Sequence, residues 1–147
     1  MEFHIRPMNQ ADIDGVLLVE RQSFITPWSR KAFEAECENE LAYYLLLLEG
    51  HQIIGYGGMW VIIDEAHVTN IAVSRGYRGL GLGRRLLLAM MADAKKRGAA
   101  SMTLEVRTGN TVARKLYTSL NFKERGIRPG YYSDTHEDAL IMWRDAL

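Results

Sequence analysis

The stretch SRGYRGLGLGRRLLLAMM (residues 74–91) places glycines at 79, 81 and 83 and arginines at 75, 78, 84 and 85, then runs on as an apolar helix. The alternate glycines make a tight loop that opens the helix. Backbone N–H groups at a helix start are unpaired and carry the positive end of the dipole, roughly half an elementary charge. Helices ordinarily place acids there, yet this one places Arg84 and Arg85 there and has no acid until Asp93. That is electrostatically backward unless an anion sits in front of the loop. The plainer reading is a tight turn with two solvated arginines, and electrostatics alone leaves both open. Nucleotide motifs fit poorly. A P-loop ends in Gly-Lys-Ser/Thr, whereas Gly83 is followed by Arg84 and Arg85. The dinucleotide fingerprint fails in either glycine register and lacks its early βαβ setting.

Working outward, NIAV (residues 70–73) ends a strand, EAHVTNIAVS, that feeds the loop. Upstream, LAYYLLLLEGHQIIGYGGMWVIID reads as two apolar runs joined by the turn EGHQ, a hairpin signal. The first run is too continuous for a half-exposed strand, so it is expected to be buried on both faces. FHIR is a short opening strand ended by Pro7. NQADIDGVLLVERQSF has Ile13, Val16 and Leu17 at helical spacing with Asn9 as N-cap, and a second helix restarts after Pro27 with Ser29 as cap and Phe33 inside. Downstream, the loop's helix ends with Lys95, Lys96 and Arg97 and is stopped by Gly98. SMTLEVRTGN alternates Met102, Leu104 and Val106 against Thr103, Glu105 and Arg107. NTVARKLYTSLNF is an amphipathic helix from Asn110 to Asn121, and two strands flank a loop at residues 129–136. The order β-α-α-β-β-β-α-β-α-β-β predicts one α+β domain over residues 1–147: a mixed, mostly antiparallel sheet flanked by about four helices.

The composition agrees with an ordered globular chain: 147 residues, 48% hydrophobic, 10% aromatic and 3 prolines. Eighteen basic residues balance eighteen acidic ones, so no overall field favours nucleic acid or membrane, and any anion site is local. The most apolar region, residues 41–63, is too interrupted to span a bilayer. The single Cys37 excludes an internal disulfide and suits a reducing cytoplasm. It lies among EAECENE, whose carboxylates raise a thiol pKa, which reads as structural. His4, His51, His67 and His136 have no metal spacing.

Strand NIAV, loop and helix together resemble the acetyl-CoA signature of the GNAT superfamily of N-acetyltransferases, Arg/Gln-x-x-Gly-x-Gly/Ala, here Arg78-x-x-Gly81-x-Gly83. The order of elements matches over essentially the whole chain. TPWS, DEAHVTNIAV, LEVRTGN-x-x-A-x-x-LY-x-x-L-x-F and RPGYY further resemble the RimI-type branch, which acetylates protein N-termini, typically that of a ribosomal protein. The resemblance implies that the backbone of Ile71, Ala72 and Val73 pairs with the pantetheine arm and that Arg78, Gly79, Leu80, Gly81, Leu82, Gly83 and Arg84 hold the pyrophosphate of acetyl-CoA. It implies Asn110 as a pantetheine contact, Glu105 as general base, Tyr117 as general acid and a strand amide near Val73 as oxyanion donor. Leu80 departs from relatives, which commonly carry Gln, Arg or Lys there.

Taken alone, these residues have plainer readings as well. Tyr117 also reads as a core tyrosine beside Leu116 and Leu120, Asn110 as an N-cap, and Glu105 as a solvent-facing carboxylate. Asn110 and Tyr117 are two helical turns apart and share a face. The chemistry suits the implied roles. A peptide α-amine with pKa near 8 needs little help to lose its proton to a carboxylate through water, and a phenol of pKa near 10 holds a proton for the leaving thiolate. For the acceptor, RimI-like enzymes use the regions of FITPWSR and RPGYY, which implies an aromatic slot of Trp28, Tyr131 and Tyr132 around the N-terminal segment of a protein. Alternatively Trp28 is a packing residue and the tyrosines cover a sheet edge. Two other functions stand beside this one: acetylation of a small amine, and a non-catalytic acyl-CoA-binding module. The expected protein is thus a cytoplasmic enzyme using acetyl-CoA, with no metal, nucleic acid or membrane partner.

Overall fold

The computed structural model describes residues 2–24 and 26–147. In chain order its elements are β1 (Phe3–Pro7), α1 (Ile13–Ser23), α2 (Arg30–Glu38), β2 (Ala42–Glu49), β3 (Gln52–Ile62), β4 (Glu65–Val73), α3 (Leu82–Lys96), β5 (Ser101–Arg107), α4 (Thr111–Ser119), β6 (Lys123–Arg128) and β7 (Ala139–Arg144). This is the predicted order. The strands form one seven-stranded sheet, β1-β2-β3-β4-β5-β7-β6. Every neighbouring pair is antiparallel except β4 and β5, which the crossover through α3 makes parallel.

The continuous apolar run of β2 is buried on both faces, as expected. Leu45 and Leu47 pack with Leu86, Leu87 and Met90 of α3, while Tyr44, Leu46 and Leu48 pack with Val16, Leu17 and Val19 of α1 and Phe33 of α2. The sheet therefore divides two apolar layers.

Helix starts follow their caps with one shift. Ser29 Oγ accepts from Ala32 N at 3.2 Å and Asn110 Oδ1 from Ala113 N at 3.1 Å, as their positions predicted. Asn9, however, caps a single 3-10 turn over residues 10–12, and α1 begins only at Ile13. Asp12 explains the shift: its carboxylate accepts from Asn9 N at 2.9 Å and from both Arg6 Nη atoms at 2.8 Å, which tightens this turn. Asn121, with φ +67, follows α4, and Gly98, with φ +95, follows α3.

Two irregularities of β4 make room for a site. Gly58 pairs with Asn70 and Met59 with Val68, which leaves Thr69 as an extra residue, a β-bulge. On its other edge β4 pairs with β5 only over Glu65, Ala66 and His67. Residues 68–73 of β4 and 104–107 of β5 then diverge and leave a wedge-shaped gap in the sheet.

Candidate active site

A cavity of about 610 Å³ lies at this gap. Its strand wall is Ile71, Ala72 and Val73, its loop wall Arg78, Gly79 and Gly81, and its helix walls Leu82, Gly83 and Arg84 of α3 with Asn110, Leu116 and Tyr117 of the α4 segment. Of the residues that the resemblance assigns to acetyl-CoA, Leu80 is the exception: it is 52% exposed and does not line the cavity. Ser23 and Phe24, at the end of α1, and Tyr77 also line the wall and were missed in the sequence. Tyr77 is held in place by its hydroxyl, which donates to Glu49 Oε1 at 2.9 Å.

The phosphate loop has the geometry its glycines require. Gly79 (φ +79) and Gly81 (φ +75) are left-handed, a conformation costly for any residue with a Cβ. Gly81 is the N-cap of α3 and has no side-chain cap, and the first turn contains no acid. The leading amides of α3 therefore face the cavity bare, with the positive end of the dipole behind them. The two arginines diverge. Arg84 Nη1 donates to Ser119 Oγ at 2.9 Å, tying α3 to α4, while Arg85 turns away toward Phe3 O. Arg78 Nε donates to Val73 O at 3.1 Å and fastens the loop to its strand. A bare helix start, a backbone edge left free by the splay and an apolar helix wall fit a long ligand with a phosphate end, an amide-bearing arm and little net demand for side-chain charge.

Tyr117 stands at the inner end of this cavity, 6% exposed and packed against Phe122. Burial, with the neighbouring Tyr132 second, pushes its phenol up to about 12, so it keeps its proton at neutral pH. Glu105 is on the other face of the sheet. Met102, Leu104 and Val106 of β5 point into the α3 layer, so Glu105 and Arg107 point away from it. Thr103 shares that second face but is buried, its Oγ1 donating to Met142 O at 2.9 Å. Glu105 Oε1 is 3.2 Å from Arg128 Nε, and Oε2 is buried without a hydrogen-bond partner among the described residues. An unmet carboxylate oxygen of this kind costs free energy unless something binds there.

The β6–β7 loop leans over Glu105. Burial first, then the charge of Glu105, pushes the Tyr131 phenol up. Burial pushes Tyr132 up to about 12 against the pull of Arg107. Tyr131 and Tyr132 meet edge to face with centroids 5.2 Å apart. Arg107, also missed in the sequence, organises the loop. It lies 4.1 Å from the Tyr132 ring and grips Asp134 with two bonds of 2.9 and 2.7 Å. Trp28 stands apart from the tyrosines: it packs on Phe33 with centroids 5.4 Å apart, and no aromatic contact joins it to the tyrosine pair among the described residues. Cys37 behaves as its neighbours predicted, with burial first and then Asp12, Glu36, Glu38 and Glu34 raising its thiol. No described helix is long and apolar enough to cross a membrane, and the described residues contain no group of three or more potential metal ligands.

A splayed sheet with a bare helix start beside the gap suits an acyl-group transferase, and the comparisons with known proteins show the class to be the acetyltransferase (GNAT) family. The model of that family matches residues 13–122, and the chain belongs to it. It is 37% identical to the [ribosomal protein bS18]-alanine N-acetyltransferase of Escherichia coli K12 over 94% of each chain. A Bacillus subtilis protein to which the same activity is attributed is 41% identical over 95% of this chain and 93% of its own. The crystal structure of the Escherichia coli ribosomal-protein-S18-alanine N-acetyltransferase superposes with a TM-score of 0.92 at 34% identity, covering 99% of this chain and 96% of the other. The protein is an N-acetyltransferase.

Proposed function

We propose that the protein transfers the acetyl group of acetyl-CoA to the N-terminal α-amine of a cytoplasmic protein, with an alanine-initiated ribosomal protein as the acceptor its relatives suggest. The observation that carries this reading is Glu105 Oε2, buried without a hydrogen-bond partner among the described residues, on the face of β5 turned away from the layer in which Tyr117 lines the cavity with its proton firmly held. In this reading residues 78–84 bind the pyrophosphate through the amides around Gly79, Gly81 and Gly83, the backbone of Ile71, Ala72 and Val73 pairs with the pantetheine arm along the edge away from β3, with Val73 O already held by Arg78 Nε, and Asn110 contacts it from α4. The thioester then lies in the gap.

Glu105, oriented by Arg128, takes a proton from the acceptor ammonium through water. The α-amine, with a pKa near 8, is already partly deprotonated, so a carboxylate suffices. The amine nitrogen attacks the thioester carbonyl directly, the new C–N bond forms, the C–S bond breaks, and the departing sulfur takes the proton of Tyr117; the second proton shed by the acylated nitrogen restores the Tyr117 phenol through water, and Glu105 releases its own to solvent. No acyl-enzyme is needed, in keeping with the raised thiol of Cys37. Tyr131 and Tyr132 line the acceptor peptide, with Trp28 at the opposite end of the same face.

The test is thiol release from acetyl-CoA with mass detection of product, on a peptide beginning with alanine, on the same peptide with a blocked N-terminus and on a panel of small amines. The expected result is one acetyl group on the free-amine peptide and none on the blocked one. Turnover confined to small amines would overturn the assignment of the acceptor.

A further inference from the structure

Glu20 lies on the inner face of α1 and is 1% exposed, the most deeply buried charged residue among those described. Nothing in the transfer chemistry above uses it. Two donors meet its carboxylate: Trp28 N–H at 2.8 Å on Oε2, and the Tyr56 hydroxyl on Oε1. The rest of the chain follows from proton counting. Tyr56 has one proton and gives it to Glu20, so its oxygen accepts from Asn70 Nδ2 at 2.9 Å. Asn70 then turns its Oδ1 to Thr69, whose hydroxyl donates to it at 2.9 Å. With that proton committed, Thr69 accepts from the Tyr44 hydroxyl at 3.1 Å. Every donor in the chain points toward Glu20.

One end of this chain and one of its middle links lie at the walls of the two proposed substrate sites. Trp28 belongs to the α1–α2 connection, on the side assigned to the acceptor. Thr69 and Asn70 are the β4 bulge, directly before the cavity residues Ile71, Ala72 and Val73. A bulge lets two successive side chains share a face, and here both are bonded into the chain from Glu20.

We propose that Glu20 is a positioning residue for both substrates: its carboxylate fixes the Trp28 segment and the bulged, cavity-forming part of β4 in one geometry. This rests on the acetyl-transfer reading above. Glu20→Gln preserves shape but replaces two acceptor oxygens by one acceptor oxygen and one amide NH2 donor. Either the Trp28 bond is lost or the run of donors through Tyr56 must reverse. Tyr56→Phe cuts only the β4 branch and leaves Trp28 bonded.

The experiment measures KM for acetyl-CoA and for a peptide beginning with alanine, together with kcat, thermal melting and the calorimetric Kd for acetyl-CoA. Glu20→Gln is expected to raise both KM values about tenfold, the worth of one charge-assisted hydrogen bond. Tyr56→Phe is expected to raise KM and Kd for acetyl-CoA about fivefold while the peptide KM stays within about twofold. A fall in melting temperature with all KM values unchanged would reduce Glu20 to a structural residue and overturn the inference, as would equal shifts of both KM values in Tyr56→Phe. If Glu20→Gln does not fold, the split in Tyr56→Phe decides. If the wild type binds acetyl-CoA but acetylates no peptide, the acceptor reading falls and the Kd shift in Tyr56→Phe still decides the β4 branch. Failure of the wild type to bind acetyl-CoA overturns both.

Discussion

The side of the gap assigned to acetyl-CoA is made largely of contiguous backbone, residues 71–84, with α4 as its second wall. The side assigned to the acceptor is made of side chains delivered from four places: the α1–α2 connection, β5, β6 and the β6–β7 loop. The first kind of site depends on φ angles and free amides, which tolerate changes of side chain. The second depends on long-range pairings such as Arg107 with Asp134 and Arg128 with Glu105. Substitutions should therefore divide cleanly by which substrate they affect.

The largest effect is expected where the two sides meet. Tyr117→Phe should lower kcat by about 10²–10⁴-fold, the usual worth of a general acid, with the Kd for acetyl-CoA unchanged. A loss of acetyl-CoA binding instead would make Tyr117 a wall residue. Next, Gly81→Val forces a β-branched side chain to φ +75 at about 1–2 kcal/mol. The KM for acetyl-CoA should rise about tenfold and the peptide KM should hold. Equal movement of both would erase the distinction between the sides.

Arg107→Met is the mirror test. The peptide KM should rise about fivefold as Tyr132 and its loop lose their anchor, with acetyl-CoA unaffected. It also has a pH signature. Arg107 holds the Asp134 carboxyl below its ordinary value of 3.8, so the pair adds stability that is complete above that value and lost as pH falls through the lower folded one. The gap in urea midpoint between wild type and Arg107→Met should thus be open at neutral pH and close below about pH 4. A gap unchanged at pH 2 would remove the ion pair from the account. The smallest effect is Leu80→Lys, which should lower the KM for acetyl-CoA about twofold through one exposed charge near the phosphates; no change would place the side chain beyond their reach.

The sequence disclosed the two sides unequally, for the same reason. A glycine loop, a helix start without acids and a continuous apolar strand are local patterns, and α3 and β2 follow from them; the cavity residues come through the resemblance that the loop carries, which includes Leu80 outside the lining and omits Ser23, Phe24 and Tyr77. Arg107 sits 27 residues from Asp134, and nothing local links them. Glu20 lay in view, at helical spacing from Val16 and Leu17 on the apolar stripe of α1, an acid where a hydrophobe belongs. Only Tyr56 and Trp28, brought over it by the fold, explain its presence. Thr103 shows the converse: strand alternation points it outward, and a bond to Met142 O lets it be buried.

The parallel ladder between β4 and β5 is three residue pairs long, and within the sheet it alone joins the half built from β1–β4 to the half built from β5–β7. The two halves are thus expected to act as two plates sharing a short hinge, braced on one face by α3 and the apolar layer common to both. Breathing of the plates exposes amides along the splay to deuterium without unfolding either plate. A ligand strand laid into the gap would pair with both lips and brace them. The protection gained on adding acetyl-CoA should then spread beyond the contact residues to Glu65, Ala66 and His67 at the hinge itself, where a ligand held by one lip alone would leave exchange as fast as before.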